Sequence, residues 1–134
     1  MIVADTNLIA YLVIRDERSE LADAVFEADP VWAAPLLWQS ELRSALVKYI
    51  QHASMTLDAA LVALHSAEEV IHGREYRVSS ERVLELAVRS KCTASDCEYI
   101  ALAQELNVPL VTADRQLLRE FPKIAVSLEK FVVK

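Results

Sequence analysis

Apolar residues in this chain recur in two rhythms, short continuous runs of a few residues and longer stripes at helical spacing. Met1 to Ala4 reads as a short buried strand. The Asp5-Thr6-Asn7 step after it turns into a helix carrying Leu8, Ile9, Leu12 and Val13. Ser19 opens a second helix with Leu21, Ala24, Val25 and Ala28 as its apolar side, and Pro30 closes it before a strand from Val31 to Ala34. Pro35 suits the first turn of the next helix, where Trp38, Leu42, Ala45, Leu46 and Tyr49 form a stripe with Glu41 on its edge.

Thr56 can cap a helix whose stripe is Leu57, Leu61, Leu64, Ala67 and Ile71, ended by Gly73. Glu75 to Val78 fits a short strand, and Ser79 or Ser80 caps a helix through Val83, Leu86, Ala87 and Ser90. Thr93 and Asp96 fit a capping box for a helix with Tyr99, Ile100, Ala103 and Leu106. Asn107 and Pro109 then lead into a strand, Leu110-Val111-Thr112, with Asp114 directly behind it. Strands alternating with helices predict a parallel sheet flanked on both sides, with ligand sites at the carboxyl ends of the strands. On that plan Asp5, Glu41, Asp96 and Asp114 all approach one end of the sheet.

The surroundings of these four acids sharpen the picture. On a helix a carboxylate is often balanced by Lys or Arg three or four places on. Here Asp5 is followed by Leu8 and Ile9, Glu41 by Ser44 and Ala45, Asp96 by Tyr99 and Ile100, and Asp114 by Leu117 and Leu118. A carboxylate drawn toward a core must be neutralised, hydrogen-bonded or bound to a cation. Hard ions such as Mg2+ and Mn2+ prefer such oxygen ligands. Singly, Asp5, Asp96 and Asp114 also read as helix caps or first-turn acids; together they point to a metal-binding cluster.

Composition adds bounds. The length of 134 residues with no Pro/Gly/Ser-rich linker predicts one compact domain over 1–134. The 54% hydrophobic content slightly exceeds the usual ~45–50%, which leaves apolar surface for an oligomer or partner interface. No apolar run approaches the ~18–20 residues that span a bilayer, and no basic region precedes Asp5, so a cytosolic protein without membrane association is expected. Cys92 and Cys97 lack companion zinc ligands and read as reduced core residues. The net charge of −6 opposes nonspecific nucleic-acid binding but is compatible with a nuclease whose acids are covered by metal ions. Arg15, Arg43, Lys48, Arg115 and Arg119 are the candidate phosphate-binding cations.

Other chemistries fit worse. No G-x-S-x-G elbow surrounds a serine, and His52, His65 and His72 lie in helical patterns without partners. A single glycine excludes phosphate-cradling loops, and Asp5-Thr6-Asn7 lacks the second aspartate of an aspartyl-phosphate phosphatase. Trp32 and Trp38 read as core residues rather than base-stacking platforms.

Asp5-Thr6-Asn7 after the first strand, Glu41 in the middle, the run from Ser95 to Ala103 and the segment Leu110-Val111-Thr112-Ala113-Asp114 together resemble the PIN domain. The closest similarity is to small VapC-type ribonuclease toxins of toxin–antitoxin pairs, and it spans nearly the whole chain. Asn107 stands where similar sequences often carry glycine, a left-handed position that asparagine tolerates. Residues 55–77 carry no diagnostic positions.

The resemblance implies an α/β fold, a PIN-like three-layer α/β/α sandwich with a short, mainly parallel central sheet. It implies catalytic and metal-binding roles for Asp5, Glu41, Asp96 and Asp114, with Asn7 and Thr112 as supporting polar positions. The expected cofactor is Mg2+ or Mn2+, one or two ions, and the expected reaction is hydrolysis of RNA. The expected partners are the RNA substrate, a cognate antitoxin and a second copy in a homodimer, with the Leu57 to Ile71 segment and the helix near Leu12 contributing to the interfaces. Two alternatives stay open: a noncatalytic PIN-like metal-binding module in a protein assembly, and a nuclease directed at DNA or at a particular nucleic-acid structure.

Overall fold

Thirteen elements follow one another along residues 1–133, the part of the chain that the computed structural model describes. They are β1 (Ile2–Ala4), α1 (Thr6–Val13), α2 (Ser19–Ala28), β2 (Trp32–Pro35), α3 (Trp38–His52), α4 (Leu57–Ile71), β3 (Glu75–Tyr76), α5 (Ser80–Arg89), α6 (Ala94–Leu106), β4 (Leu110–Val111), α7 (Arg115–Glu120), β5 (Ala125–Val126) and α8 (Leu128–Val132). The sheet has the order β3-β2-β1-β4-β5, and every pairing is parallel. In β1, Val3 stands opposite both Ala33 and Leu110, so this strand is buried from both edges.

The alternation of strand side chains divides the apolar residues between two layers. Ile2, Ala4, Trp32, Ala34 and Val111 pack with Leu8, Ile9, Val25, Trp38, Leu42 and Ile71 from α1 to α4 and with Phe131 from α8. Val3 and Leu110 face the opposite layer, where they meet Leu86, Cys97, Ile100, Leu102 and Leu117 from α5, α6 and α7. Trp32 and Trp38 are core residues, as expected; their indole N–H groups donate to the Asp29 carbonyl at 2.7 Å and to Glu75 Oε1 at 3.0 Å. Cys92 and Cys97 are buried and free, also as expected. Among the described residues no helix is long and apolar enough to cross a membrane.

Several boundaries differ from the sequence reading. Pro35 ends β2 instead of starting a helix; its position at the strand terminus suits a residue without an N–H, and α3 begins only at Trp38. The strand expected over 75–78 is confined to Glu75–Tyr76. The stretch after Asp114, which carries no clear periodicity, forms α7, β5 and α8.

The largest departure is in α4. Ala67 and Ile71 of the expected stripe are buried and Leu64 packs partly against the core, but the remaining core positions are Ala60 and Ala63, whereas Leu57 and Val62 are 64% and 66% exposed and Leu61 is also exposed. Hydrophobicity favours the leucine stripe; volume decides for the alanines. The helix packs on α1, α3 and β2, and methyl side chains let it approach them closely.

Candidate functional site

The strand order reverses at β1: β2 and β3 lie to one side, β4 and β5 to the other. Crevices at the carboxyl ends of strands flanking such a switch point are the usual ligand sites of open α/β sheets. Asp5 and Asp114 stand just beyond the carboxyl ends of β1 and β4. Glu41 and Asp96 occupy the first turns of α3 and α6.

Asp5 is the most confined of the four. It caps α1, with Oδ1 accepting the Thr6 N–H at 2.8 Å. Its Oδ2 accepts from the Thr112 hydroxyl at 2.5 Å and from the Asn7 amide at 3.3 Å. Thr112 is fully buried and also accepts the Asp114 N–H at 2.9 Å, while Asn7 Oδ1 accepts the Ala113 N–H at 3.2 Å. The two expected supporting residues thus tie the start of α1 to the loop after β4. Burial pushes the Asp5 carboxyl up to about 6; the bonds from Thr112 and Thr6 oppose this, and the charges of Glu41 and Asp96 add to it.

Asp114 caps α7, its Oδ1 accepting from the Gln116 and Leu117 N–H groups at 2.8 and 3.0 Å. Among the described residues no hydrogen bond to its Oδ2 is formed. Asp96 N–H donates to the Thr93 hydroxyl at 3.1 Å, which satisfies the forward arm of the expected cap. The Asp96 carboxyl is held above the usual range, first by burial and then by the nearby charges of Asp114 and Glu41, while Thr93 opposes the shift. Glu41 Oε1 accepts from the Thr6 hydroxyl at 2.8 Å and from the Tyr99 hydroxyl at 2.6 Å. None of the described ion pairs involves any of these four acids.

Three further residues belong to this neighbourhood and were not singled out from sequence. Glu98 is half-buried, and its carboxyl is raised by burial and by the charge of Glu41. Thr6 and Tyr99 grip Glu41. A tyrosine among Ile, Ala and Leu on a buried helix face is itself a signal, because its hydroxyl needs a partner when the ring is buried. Of the candidate cations, Arg15 is tied to Asp23 at 2.7 Å, and Lys48 lines the groove beside Glu41 together with Ser40, Ser44, Tyr49 and Ser95. His52, His65 and His72 are exposed.

The donor set suits a hard divalent cation. It is all oxygen, it is burdened by mutual repulsion and burial, and it has no ion-paired base to relieve it. Among the described residues, no three His, Cys, Asp or Glu side chains are spaced to grip one ion as they stand. Mg2+ is commonly bound through one or two carboxylates with several waters retained, a mode open to a ring of this looseness.

With this geometry in view, the comparison with known proteins is direct: the family model described as PIN domain matches residues 2–124. The chain belongs to the PIN domain family. A curated relative, "Ribonuclease VapC3" from Pyrobaculum aerophilum, is 30% identical over 127 residues, which cover 92% of this chain and 96% of that protein. The crystal structure of PAE2754 from the same organism superposes with a TM-score of 0.78 at 23% identity, covering 98% of this chain and 85% of that one. A toxin–antitoxin complex from Klebsiella pneumoniae contains a chain that superposes with a TM-score of 0.70 at 19% identity, covering 96% of this chain and 98% of its own. These two structures bear on the fold, and the α/β/α sandwich with a parallel sheet is that of a PIN domain.

Proposed function

We propose that this PIN domain is a metal-dependent endoribonuclease, the toxin of a type II toxin–antitoxin pair acting in the cytoplasm. One observation carries the reading: at the carboxyl end of the sheet the charges of Glu41 and Asp96 reach Asp5, those of Asp114 and Glu41 reach Asp96, and none of the described ion pairs involves any of the four acids. The 30% identical relative is named a ribonuclease, which supports RNA as the substrate.

Asp5, Asp96 and Asp114 are the proposed direct ligands. Asp5 is held by Thr6, Asn7 and Thr112, while Asp114 uses Oδ1 to cap α7. Glu41 is assigned to a second ion, to a water beside the ion, or to the general base. The chemistry that one or two bound Mg2+ or Mn2+ ions supply in such a site is activation of a water and neutralisation of charge on the phosphate and the leaving oxygen. Lys48, on the α3 face that also carries Glu41, is the cation placed to meet the RNA backbone along the adjoining groove.

An antitoxin and a second copy of the chain are the proposed protein partners. Leu57, Leu61 and Val62 on α4 and Val47 on α3 supply exposed apolar surface for such contacts.

The test is cleavage of end-labelled transfer and ribosomal RNA fragments with Mg2+ or Mn2+, beside EDTA and Asp96→Asn. Metal-dependent cuts that vanish in a folded Asp96→Asn chain are expected. Wild-type turnover in that variant would overturn the assignment, and metal binding without cleavage of any RNA or DNA would move the protein to the noncatalytic class.

A further inference from the structure

We infer that Tyr99 and Thr6 form a hydroxyl clamp on Glu41 Oε1 that aims Oε2 into the crevice, making Tyr99 a positioning residue for the metal site. The inference rests on the proposed metal-dependent function, takes from it the role of Glu41 at an ion or a water beside it, and specifies how this most flexible of the four acids is held.

Glu41 differs from the three aspartates in having an additional rotatable bond. Asp5 and Asp114 are locked by backbone N–H groups at helix starts. Glu41 has no such anchor: its own N–H is spent within the helix start, donating to the Leu37 carbonyl at 3.2 Å. A solvated glutamate loses substantial rotamer entropy when one orientation is imposed. The constraint here comes from two hydroxyls that converge on one oxygen, Thr6 at 2.8 Å and Tyr99 at 2.6 Å. The two hydroxyls also lie against each other; with one proton apiece they supply two hydrogen bonds among the three oxygens, and both can be directed at Glu41. Among the described residues, Glu41 Oε2 accepts no hydrogen bond, both bonds to the carboxylate being at Oε1.

The placement of Tyr99 argues that its hydroxyl is there for Glu41. The residue is only 1% exposed and its ring packs with Ile100, Leu102 and Val3 in the layer formed by α5, α6 and α7. An apolar side chain would fill that space. The phenol is carried through this layer to the site, where its hydroxyl donates to Glu41 and lies beside that of Thr6. Thr6 comes from the start of α1, Glu41 from α3 and Tyr99 from α6, so the clamp also joins the helices that carry three of the four acids.

The experiment combines Tyr99→Phe with Glu41→Ala and reads Mn2+ affinity by titration calorimetry, kcat and KM for a cleaved RNA, and unfolding. Tyr99→Phe is expected to lower Mn2+ affinity and kcat by about tenfold or more, the range seen when groups orienting metal ligands are removed, with KM for RNA little changed. In the Glu41→Ala background the same substitution is expected to have no further effect on Mn2+ affinity, since its target is gone. If Tyr99→Phe proves too unstable, Thr6→Val takes its place: loss of affinity with Thr6→Val and recovery with Thr6→Ser supports the clamp, and equal affinity for both overturns it. Wild-type affinity and kcat in Tyr99→Phe, or effects that simply add to those of Glu41→Ala, overturn it as well. If Glu41→Ala itself binds Mn2+ and cleaves RNA normally, the failure lies instead with the assignment of Glu41 to the site.

Discussion

Titrating Asp5 without metal should weaken the fold. The residue is 7% exposed, and its carboxyl pKa rises from an ordinary 3.8 to about 6 because burial disfavours the charged form. With the folded-state value above the unfolded one, the folded chain holds a proton that the unfolded chain has released between those two pH values. The contribution to stability is therefore complete below about pH 4 and is lost as the pH rises through about 6. The gap corresponds to about 3 kcal/mol, a substantial share of the ~5–15 kcal/mol typical of a domain. The assay is urea unfolding in EDTA between pH 4 and pH 7 for the wild type and Asp5→Asn. Asparagine does not titrate, so the stability difference between the two chains reports Asp5 together with its coupling to Glu41 and Asp96. That difference should move against the wild type by about 3 kcal/mol across the range. Mn2+ at a hundredfold excess over its Kd should restore about 2.7 kcal/mol to the wild type at pH 7 by selecting the ionised, folded form. A flat difference in EDTA would refute the idea that this crevice stores electrostatic cost for a cation to relieve.

Further expectations concern the scaffold. Thr112→Val removes a fully buried hydroxyl that donates to Asp5 and accepts from the Asp114 N–H; it should cost about 1–3 kcal/mol of stability in chemical unfolding, and a loss below ~0.5 kcal/mol would count against that bridge. On α4, Ala67→Leu should cost about 1–3 kcal/mol by overpacking the side that faces the core. Val62→Ser, on the exposed side, should stay within ~0.5 kcal/mol for the isolated monomer. Comparable losses at the two positions would mean that the wrong side of α4 has been assigned to the core.

Much of the fold was written locally. The continuous apolar run of β1, the stop signals at Pro30 and Gly73 and the caps at Asp5, Thr56, Ser79 and Thr93 mark their elements because each acts through its own backbone neighbourhood. The four acids were legible for a similar reason: carboxylates beside apolar faces without basic partners stand out along a linear chain. Pattern alone failed where a decision depends on distant volume. Nothing in residues 57–71 says that alanines rather than leucines will meet α1, α3 and β2, because that depends on how closely those elements leave room. The strand β5 depends in the same way on pairing with β4, since two residues carry too little periodicity to declare themselves. The grip of Thr6 and Tyr99 on Glu41 joins positions 35 and 58 residues apart from it, and only the folded arrangement of α1, α3 and α6 brings their three oxygens together. Sequence by itself determined which groups carry charge and where helices and strands can start; tertiary structure decided which faces are buried and which oxygens share a partner, because burial and hydrogen bonding are properties of neighbours in space.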